Sequence, residues 1–541
     1  MNTYVVTSAP PSPDTDPHLG RLAGSFLGAD VLTRHLRQRG HQVRYVGYCD
    51  EHSTRVASRA AKSGVTPHAL ARVVGDRMGD TLTLGAMRPD WFTRPLADFA
   101  HAHWVRRFFL ALWEAGALEV REFPALRCVP CDRYLHEADV RGSCRHCAAP
   151  ADGACCGSCG LPQDPEGLVD PRCTDCGAVP DTVAQRRIAF PLEGYREQLA
   201  AYHDKAWGAA EWRPRPRAFL DRLMAAELPV VPVSRVADHG IPVPLPGWEE
   251  HVLDTGFSGI WGLVAATERL AEAYGERNVA LPLWADPATR IVAFTGVDQI
   301  FAHVALWPAL LLAEGTLGLP DQVVVSETVQ PRNAQSGAVW DGDFLRRTNA
   351  DALRFHLCLT AAEGAESEFS LSEYADTVTT VLAGGLETWT DTVLDLLAED
   401  FRRTVPAAVP AGPMTIERRD LTRRIADALG TEAYSPLRAA EDLATAVERA
   451  LIDVRRLRSL REAGRGREYA AGLTAHVELL AAFTVAAAPL MPGWSAFLAG
   501  ELGLAVDQES RLPVWADEDE RLVPAGTVLP EAVPVYFHEQ W

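Results

Sequence analysis

The chain has 541 residues, a formal net charge of −20 and 47% hydrophobic residues. This length predicts several domains, and the apolar content is sufficient for buried cores. The acidic balance argues against a protein whose whole surface attracts nucleic acid. Lysine occurs only at Lys62 and Lys205, so a catalytic lysine has few positions available.

The first fifty residues follow a strand, loop, helix and strand pattern. TYVVTSA is typical of a buried strand, HLGRLAGSFLGADVLTRHLRQRG of an amphipathic helix, and HQVRYVGYC of a second strand. The pattern predicts a parallel α/β fold, in which ligands bind beyond the carboxyl ends of the strands. MNTYVV lacks the basic segment of a signal peptide, so we expect a cytoplasmic protein.

Nine of the eleven cysteines lie between Cys128 and Cys176, and the surrounding segment is rich in Gly, Pro and Asp and predicted to be loop-like. Intracellular thiols that cluster so closely favour metal binding over disulfides. Each Cys-x-x-Cys pair can present two thiolates, and tetrahedral Zn²⁺ needs four, so four pairs predict one or two structural zinc ions. We expect the two inner pairs to share one ion and the two outer pairs the other. The pairs are Cys128/Cys131, Cys144/Cys147, Cys156/Cys159 and Cys173/Cys176, and Cys155 is left over.

The second half of the chain is predicted to begin as α/β and end as helices. RIVAFTG and DQVVVSE are predicted strands around the apolar helix IFAHVALWPALLLAEG. From about residue 350 to 500 the periodicity is helical, with a break at TVPAAVPAGP. The apolar run VELLAAFTVAAAPLM contains Glu478 and is followed by Pro492, so we predict no membrane span there.

Several stretches, in order, resemble the methionyl-tRNA synthetases, a family of class I aminoacyl-tRNA synthetases. They include TSAPPSPDTDPHLGRLAGSF, the four cysteine pairs, VSRVADHGIPVP, FTGVDQIFAHVALWPALLL and NADALRFHLC. The resemblance implies a Rossmann-type α/β catalytic domain with a zinc-knuckle insertion and a C-terminal α-helical bundle. The expected units are 1–115 and 229–330 for the two catalytic halves, 116–228 for the insertion, 331–380 for a stem-contact region and 381–541 for the anticodon-binding-like helices.

The family's reaction is attack of an amino-acid carboxylate on the α-phosphate of ATP, with Mg²⁺, to give an aminoacyl-adenylate. By residue type alone, HLGR is also typical of a turn before a helix, Asp50 of a helix N-cap, and His303 of a buried core histidine. The resemblance instead assigns His18, Gly20, Gly296 and Asp298 to ATP, and Ala9, Ser12, Asp50, Trp261 and His303 to the amino acid.

The chain departs from the family at several of these positions. Arg21 stands where the family has a second histidine, and Ser12 where it has a tyrosine. GFSGIWGLVAAT replaces the family's WFDAPIGY, and Trp261 is expected to cover the missing tryptophan. We expect a pocket altered in this way to select an amino acid other than methionine, with a small or polar side chain.

The family's mobile lysine loop aligns with QPRNA, Gln330 to Ala334, which contains no lysine. Arg332 is the cation of this loop, so we expect His18, Arg21 and Arg332 to form the catalytic set. Loss of a contact to the leaving pyrophosphate costs on the order of a hundredfold in rate. We therefore expect Arg332→Ala and Arg21→Ala to slow the reaction strongly.

The helix that reads the anticodon in the family has Thr388 and Thr392 at its paired Asn and Arg positions, with Asp391 beside them. These changes remove a bidentate donor and add a charge that repels phosphate. The sequence therefore favours an AMP-forming ligase that transfers the acyl group to a small molecule rather than to tRNA, as in hydrazine-synthetase-type natural-product enzymes. A separate cupin protein would then be needed for N–N bond formation. The alternatives are a methionyl-type tRNA ligase with altered motifs, and an inactive binding protein.

Overall fold

The computed structural model describes residues 1–210, 212–333, 342–507, 512–515 and 521–537. Its strands are β1 (Thr3–Ser8), β2 (Gln42–Tyr48), β3 (Trp91–Thr93), β4 (Glu119–Cys128), β5 (Arg133–Leu135), β6 (Val140–Ser143), β7 (Pro150–Asp152), β8 (Val169–Cys173), β9 (Asp181–Pro191), β10 (Val230–Pro232), β11 (Ser234–Val236), β12 (Ile241–Pro242), β13 (His251–Leu253), β14 (Thr289–Gly296), β15 (Gln322–Ser326), β16 (Val329–Pro331) and β17 (Ser367–Phe369).

The α-helices fall into two groups, one around the sheets and one in the C-terminal bundle. The first group is α1 (Leu19–Arg21), α2 (Leu27–Gln38), α3 (Thr54–Ser63), α4 (Pro67–Leu84), α5 (Phe99–Glu114), α6 (Arg196–Ala209), α7 (Pro214–Met224), α8 (Thr255–Ala273), α9 (Ala280–Ala285) and α10 (Trp307–Glu314). The second is α11 (Gly342–Leu345), α12 (Ala350–Leu359), α13 (Leu371–Asp376), α14 (Thr388–Phe401), α15 (Pro413–Leu429), α16 (Pro436–Glu462), α17 (Gly466–Ala487) and α18 (Pro492–Leu502). Wider π-helical turns at Leu22–Phe26, Ala302–Leu306 and Thr377–Glu387 lead into α2, α10 and α14.

The central sheet has five strands in the order β15-β14-β1-β2-β3, and every neighbouring pair is parallel. In β1 the residues after Thr3 are buried, and β15 is buried throughout. Strands covered on both faces read as nearly continuous apolar runs, which is why TYVVTS and QVVVS were recognisable in the sequence. The predicted Rossmann-type α/β fold, with its helical C-terminal region, is confirmed.

The insertion contains more strand than its composition suggested. β4 and β9 pair antiparallel from Glu119↔Ala189 to Arg127↔Asp181, and β6 pairs with β7 and β8. The loop-like interpretation of the cysteine-rich segment was wrong in this respect. Its strands are short and carry many polar residues, so they lack the apolar alternation that marks a strand in sequence. The five domain boundaries drawn from the sequence stay predictions.

The helix α17 is longer than the apolar run that was read in the sequence. It passes the length and composition test for a membrane span, but 83% of its apolar window is buried inside the chain. Its neighbours are α15, α16 and α18. A helix whose apolar residues are covered by neighbouring helices on every side is the core helix of a bundle.

The guanidinium of Arg354, on α12, is fully buried and joins the bundle to the sheet. Its Nη2 atom donates to Asp30 Oδ2 at 2.7 Å, and Asp30 lies on α2. Its other hydrogen bonds go to the main-chain oxygens of Gly85, Ala86, Pro489 and Leu490. A buried charge is tolerated when it is paired and its donors are used, as here.

We predict that Arg354→Met will destabilise the protein by about 3–5 kcal/mol, because it leaves Asp30 buried with a reduced set of partners. The measurement is the midpoint of chemical or thermal unfolding. Arg290→Met is the matched control, since Arg290 pairs with Asp321 but is half exposed, and exposed pairs contribute about 0–1 kcal/mol. Equal effects of the two substitutions would contradict the role given to Arg354.

Candidate active site

A cavity of about 470 Å³ lies beyond the carboxyl ends of β1, β14 and β15. This is the edge of a parallel sheet at which α/β proteins bind ligands, and the volume falls in the range of small-molecule sites. Its lining brings together six segments of the chain. They are Ala9 to Pro11, His18 to Ser25 in part, Gly157 and Ser158, Gly296 to Gln299, Ser326 to Gln330, and Glu366.

The helix that begins after His18 points its N-terminus at this cavity. His18 is the N-cap of α1, and its Nδ1 accepts a hydrogen bond from the Arg21 main-chain N–H at 3.3 Å. Burial first, and then the Arg21 charge, lower the pKa of His18 to about 4. The ring is therefore neutral at pH 7 and carries its proton on Nε2. A neutral donor beside a helix N-terminus suits an anionic ligand.

Arg21 lies on the cavity wall and supplies its permanent positive charge. Its Nη1 atom donates to the Ser12 main-chain oxygen at 3.4 Å, which holds the guanidinium near the cavity mouth. Of the described residues that line the cavity, Arg21 is the one arginine, and there is no lysine among them. Three carboxylates, Asp298, Glu327 and Glu366, line the same cavity. A phosphate ligand placed here would therefore depend on Arg21 and on helix N–H groups for its stabilisation.

Gly296 and Asp298 form the opposite wall, at the end of β14. A Cβ atom on residue 296 would lie 2.7 Å from Asp298 Oδ1, so glycine is what allows this carboxylate to fold back over the strand end. Gly20, Gly296 and Asp298 all line the cavity. The structure thus brings together the four residues that the sequence assigned to ATP, His18 included.

Arg332 is placed differently. Its Nε atom donates to Glu368 Oε2 at 2.9 Å, and its guanidinium also pairs with Glu373. Hydrogen bonds to Glu373 and Glu368 raise the pKa of Arg332, and the residue does not line the cavity. Ala334, the last residue of the QPRNA motif, lies outside the described residues. The catalytic role of Arg332 stays a prediction.

Asp50 follows the end of β2, next to the cavity wall. Its main-chain N–H donates to the Pro11 oxygen at 2.8 Å. Burial first, and then the charge of Glu137, raise the pKa of Asp50 to about 8, against the opposing charge of Arg235. An ammonium ion beside this carboxyl would favour its ionised form. Its position therefore suits the ammonium-binding role that the resemblance gave it.

The other residues that were predicted to bind the amino acid differ in how far they are buried and in whether they line the cavity. Ala9 lines the cavity, while the Ser12 hydroxyl donates to Ser53 Oγ at 3.0 Å. His303 is buried behind Gln299, whose main-chain oxygen is 3.0 Å from His303 Nδ1. Trp261 is fully buried and stacks on Phe108 with a centroid distance of 4.3 Å. Trp261 therefore belongs to the core around α5 and α8, and its contact with an amino acid stays a prediction.

One part of the insertion reaches the cavity, which was not predicted from the sequence. Gly157 and Ser158, between Cys156 and Cys159, line it. Two side chains of α7 bind this turn: Arg215 donates to the Ser158 main-chain oxygen and Arg222 to the Cys159 main-chain oxygen. The Gly-Ser turn inside a Cys-x-x-Cys pair was visible in the sequence, but its long-range contact was not.

The eight paired cysteines form two clusters. In each cluster the four Sγ atoms lie within 4.8 Å of one another. Contacts across the pairs measure 3.4 Å for Cys128–Cys176 and 3.9 Å for Cys144–Cys159. Zn–S bonds of about 2.3 Å in a tetrahedron require S–S distances of roughly 3.8 Å, so both clusters fit Zn²⁺. The nested pairing predicted from the sequence is confirmed, with Cys128, Cys131, Cys173 and Cys176 in the outer cluster and Cys144, Cys147, Cys156 and Cys159 in the inner one.

The helix face that aligns with the anticodon-binding helix of the family carries uncharged or acidic side chains. The hydroxyls of Thr388 and Thr392 donate to main-chain oxygens of their own helical segment, those of Ala383 and Thr388. Burial, and then the charge of Glu387, raise the pKa of the neighbouring Asp391. This face offers no guanidinium at the two aligned positions.

The sheet order and the cavity at its carboxyl edge define an α/β protein with a candidate ligand site beyond its parallel strands. Residues 4–392 match the family model described as "tRNA synthetases class I (M)". The chain belongs to this family.

Similar proteins agree with that assignment. The methionine–tRNA ligase of Thermomicrobium roseum is 32% identical over 387 residues, which is 69% of this chain and 65% of the relative. That of Thermoplasma acidophilum is 28% identical over 369 residues, 67% of this chain and 66% of the relative. The alignments thus span just under two thirds of these relatives.

Among solved structures, the Mycobacterium tuberculosis methionyl-tRNA synthetase bound by methionyl-adenylate is similar in fold. It superimposes with a TM-score of 0.77 at 20% sequence identity, over 99% of this chain and 100% of that one. At this identity the likeness establishes the shared fold.

We predict that metal analysis of the purified protein will find two zinc ions per chain, one in each cluster. Cys144→Ser removes one ligand of the inner cluster, so zinc should fall to about one ion, and its release to a chelator should be faster. Cys155→Ser is the matched control, because Cys155 belongs to neither cluster. Two ions retained by Cys144→Ser, or zinc lost from Cys155→Ser, would contradict this assignment.

Proposed function

We propose that the chain is an ATP-dependent, AMP-forming amino-acid ligase of the aminoacyl-tRNA synthetase type. The observation that carries the proposal is the cavity in which the helix start at His18, the Arg21 charge and the Gly296–Asp298 turn face one another. Family membership supports it, and so does the position of Asp50 beside the cavity wall.

In the proposed reaction an amino-acid carboxylate oxygen attacks the α-phosphorus of ATP. The bond between that phosphorus and the oxygen that bridges it to the β-phosphorus breaks, and pyrophosphate leaves. We assign His18 Nε2–H, the N–H groups of the helix start and the Arg21 guanidinium to the phosphates, where they would stabilise the charge that develops. Asp50 holds the ammonium group, so that carboxylate and phosphorus are presented in line.

The acyl group then passes to a nucleophile, and AMP leaves. Kinship to methionine–tRNA ligases makes tRNA the first candidate for the acceptor. A small-molecule nucleophile, such as an N-hydroxylated amine that a separate cupin protein would process further, is the second. The second candidate is favoured by the face of α14, where Thr388, Asp391 and Thr392 provide no guanidinium for phosphate.

Pyrophosphate exchange into ATP, measured with each of the twenty amino acids, tests the adenylation step. We expect exchange with at least one amino acid. Charging of total tRNA with that amino acid would support the first acceptor, and hydroxamate formation with hydroxylamine without charging would support the second. Absence of exchange with every amino acid would overturn the proposal and leave an inactive binding protein.

Arg21→Ala should slow exchange on the order of a hundredfold, because it removes the permanent charge on the cavity wall. Arg332→Ala is the matched comparison. The ion pairs of Arg332 with Glu368 and Glu373 hold it outside the cavity, so we expect the smaller loss there. Steady-state exchange rates at saturating ATP and amino acid measure both. An unchanged rate in Arg21→Ala would refute the part given to this charge.

A further inference from the structure

The segment RPRPR, Arg213 to Arg217, forms the start of α7 and lies outside the stretches that carry the family resemblance. Arg213 is the N-cap of the helix, and Pro214 is its first residue. Proline is well suited to this turn, because the N–H groups there have no partner inside the helix and the ring fixes φ. Pro216, in the same turn, is buried. The three arginines therefore project from a rigid helix start.

Arg215 contacts two residues of the cavity wall. Its Nη2 atom donates to the Ser158 main-chain oxygen at 2.5 Å, and its Nε atom lies 3.7 Å from Glu327 Oε1. Ser158 and Glu327 both line the cavity, and Arg215 does not. The guanidinium of Arg215 therefore lies behind the wall and acts on the cavity through these two residues.

Glu327 is the first residue after β15, and its side chain is 9% exposed. Its main-chain N–H donates to the Ala362 oxygen at 2.9 Å, which fixes the backbone at this point. Among the described residues, Arg215 is the ion-pair partner of Glu327. A carboxylate that is largely removed from water and has no counter-charge acts strongly on other charges nearby, because little solvent screens it.

The other two arginines of the segment pair elsewhere. The Nη2 atom of Arg213 lies 3.5 Å from Glu363 Oε1. The guanidinium of Arg217 lies over the ring of Trp207, 4.8 Å from its centroid. None of these four residues lines the nucleotide cavity. Of the three arginines, Arg215 is thus the one that pairs with a carboxylate of the cavity wall.

This pairing matters because the cavity wall carries more negative than positive side chains. Asp298, Glu327 and Glu366 line the cavity, and Arg21 is the one arginine among its described lining residues. A triphosphate carries several negative charges of its own. Each carboxylate of the wall that lacks a counter-charge therefore weakens the binding of a triphosphate.

We infer that Arg215 is a positioning residue for ATP, which neutralises Glu327 and so allows the wall at the end of β15 to face a triphosphate. This inference rests on the proposed function and adds a residue to it. Arg215 contacts no substrate in this account and acts through Glu327. A full charge within several ångströms of a phosphate, partly screened by solvent, corresponds to a change in affinity of about tenfold or more.

The test is a double-mutant cycle on the KM for ATP in pyrophosphate exchange, with the amino acid that supports exchange held at saturation. Arg215→Met should raise this KM about tenfold and change kcat by less than about threefold, because the lost interaction affects ATP binding. In a Glu327→Gln background the same substitution should change the KM by less than about twofold, since no carboxylate remains to be neutralised. A KM does not depend on the fraction of folded enzyme.

Arg217→Met is the matched control, because it removes the same charge from the same helix start. Its KM for ATP should stay within about twofold of that of the unmodified chain. An unchanged KM in Arg215→Met would overturn the inference, and so would an equal rise in Arg217→Met. An equal effect of Arg215→Met in both backgrounds would also overturn it, because that result would mean that Arg215 acts only by holding the Ser158 turn.

The dissociation constant of ATP, measured by titration calorimetry, gives the same comparison without turnover. We expect Arg215→Met to weaken binding about tenfold in the unmodified chain and less than about twofold in the Glu327→Gln background. Absence of exchange with every amino acid would count against the proposed function, and the dissociation constants would still decide the role of Arg215. No binding of ATP to the unmodified chain would overturn the inference.

Discussion

The buried pair between Arg354 and Asp30 is the contact on which the arrangement of the site depends. Asp30 lies on α2, the continuation of the helix that begins after His18, and it also accepts a hydrogen bond from Arg34 at 2.7 Å. Arg354 fixes that helix to the C-terminal bundle through a network with several main-chain oxygens. A helix N-terminus can stabilise phosphate only when its axis is held still. The position of the helix that begins after His18 is thus set by a residue from the far half of the chain.

The second constraint is the scarcity of lysine, the flexible cationic side chain that the family uses beside the phosphates. The sequence has no lysine after Lys205, so in the proposed reaction the leaving pyrophosphate would be stabilised by arginine, by helix N–H groups and by Mg²⁺. Arg21 is suited to this because its guanidinium stays charged and its position is fixed by the Ser12 oxygen. His18, kept neutral by burial, adds a donor without adding charge. In this account the replacement of histidine by arginine in HLGR is a functional change.

Local patterns were enough to predict the parts of the fold that depend on local chemistry. Buried strands such as β1 and β15 show as apolar runs, and the cysteine pairs show as knuckles with a nested order. The remainder depends on contacts between distant residues. The ion pairs of Arg332 with Glu368 and Glu373, and the approach of Gly157 and Ser158 to the cavity, leave no periodic mark in the sequence.

The same limit applies to the aromatic residues. Trp261, in the segment 256–267, was assigned to the amino-acid pocket by the family resemblance, and in the structure it stacks on Phe108 in the core. Trp307, on α10, lies against the backbone of α8 at Gly259. A helix shows which residues share a face, but the sequence cannot show which ring from another element will fill the space beside a glycine.

The central claim is that a carboxylate attacks the α-phosphorus of ATP in the cavity at His18 and Arg21. Turnover of the activated amino acid, labelled with ¹⁸O in its carboxylate and trapped with hydroxylamine, tests this directly. The account predicts that mass spectrometry will find one ¹⁸O atom in the phosphate of the released AMP. AMP without label, or label in inorganic phosphate with ADP as the nucleotide product, would contradict it.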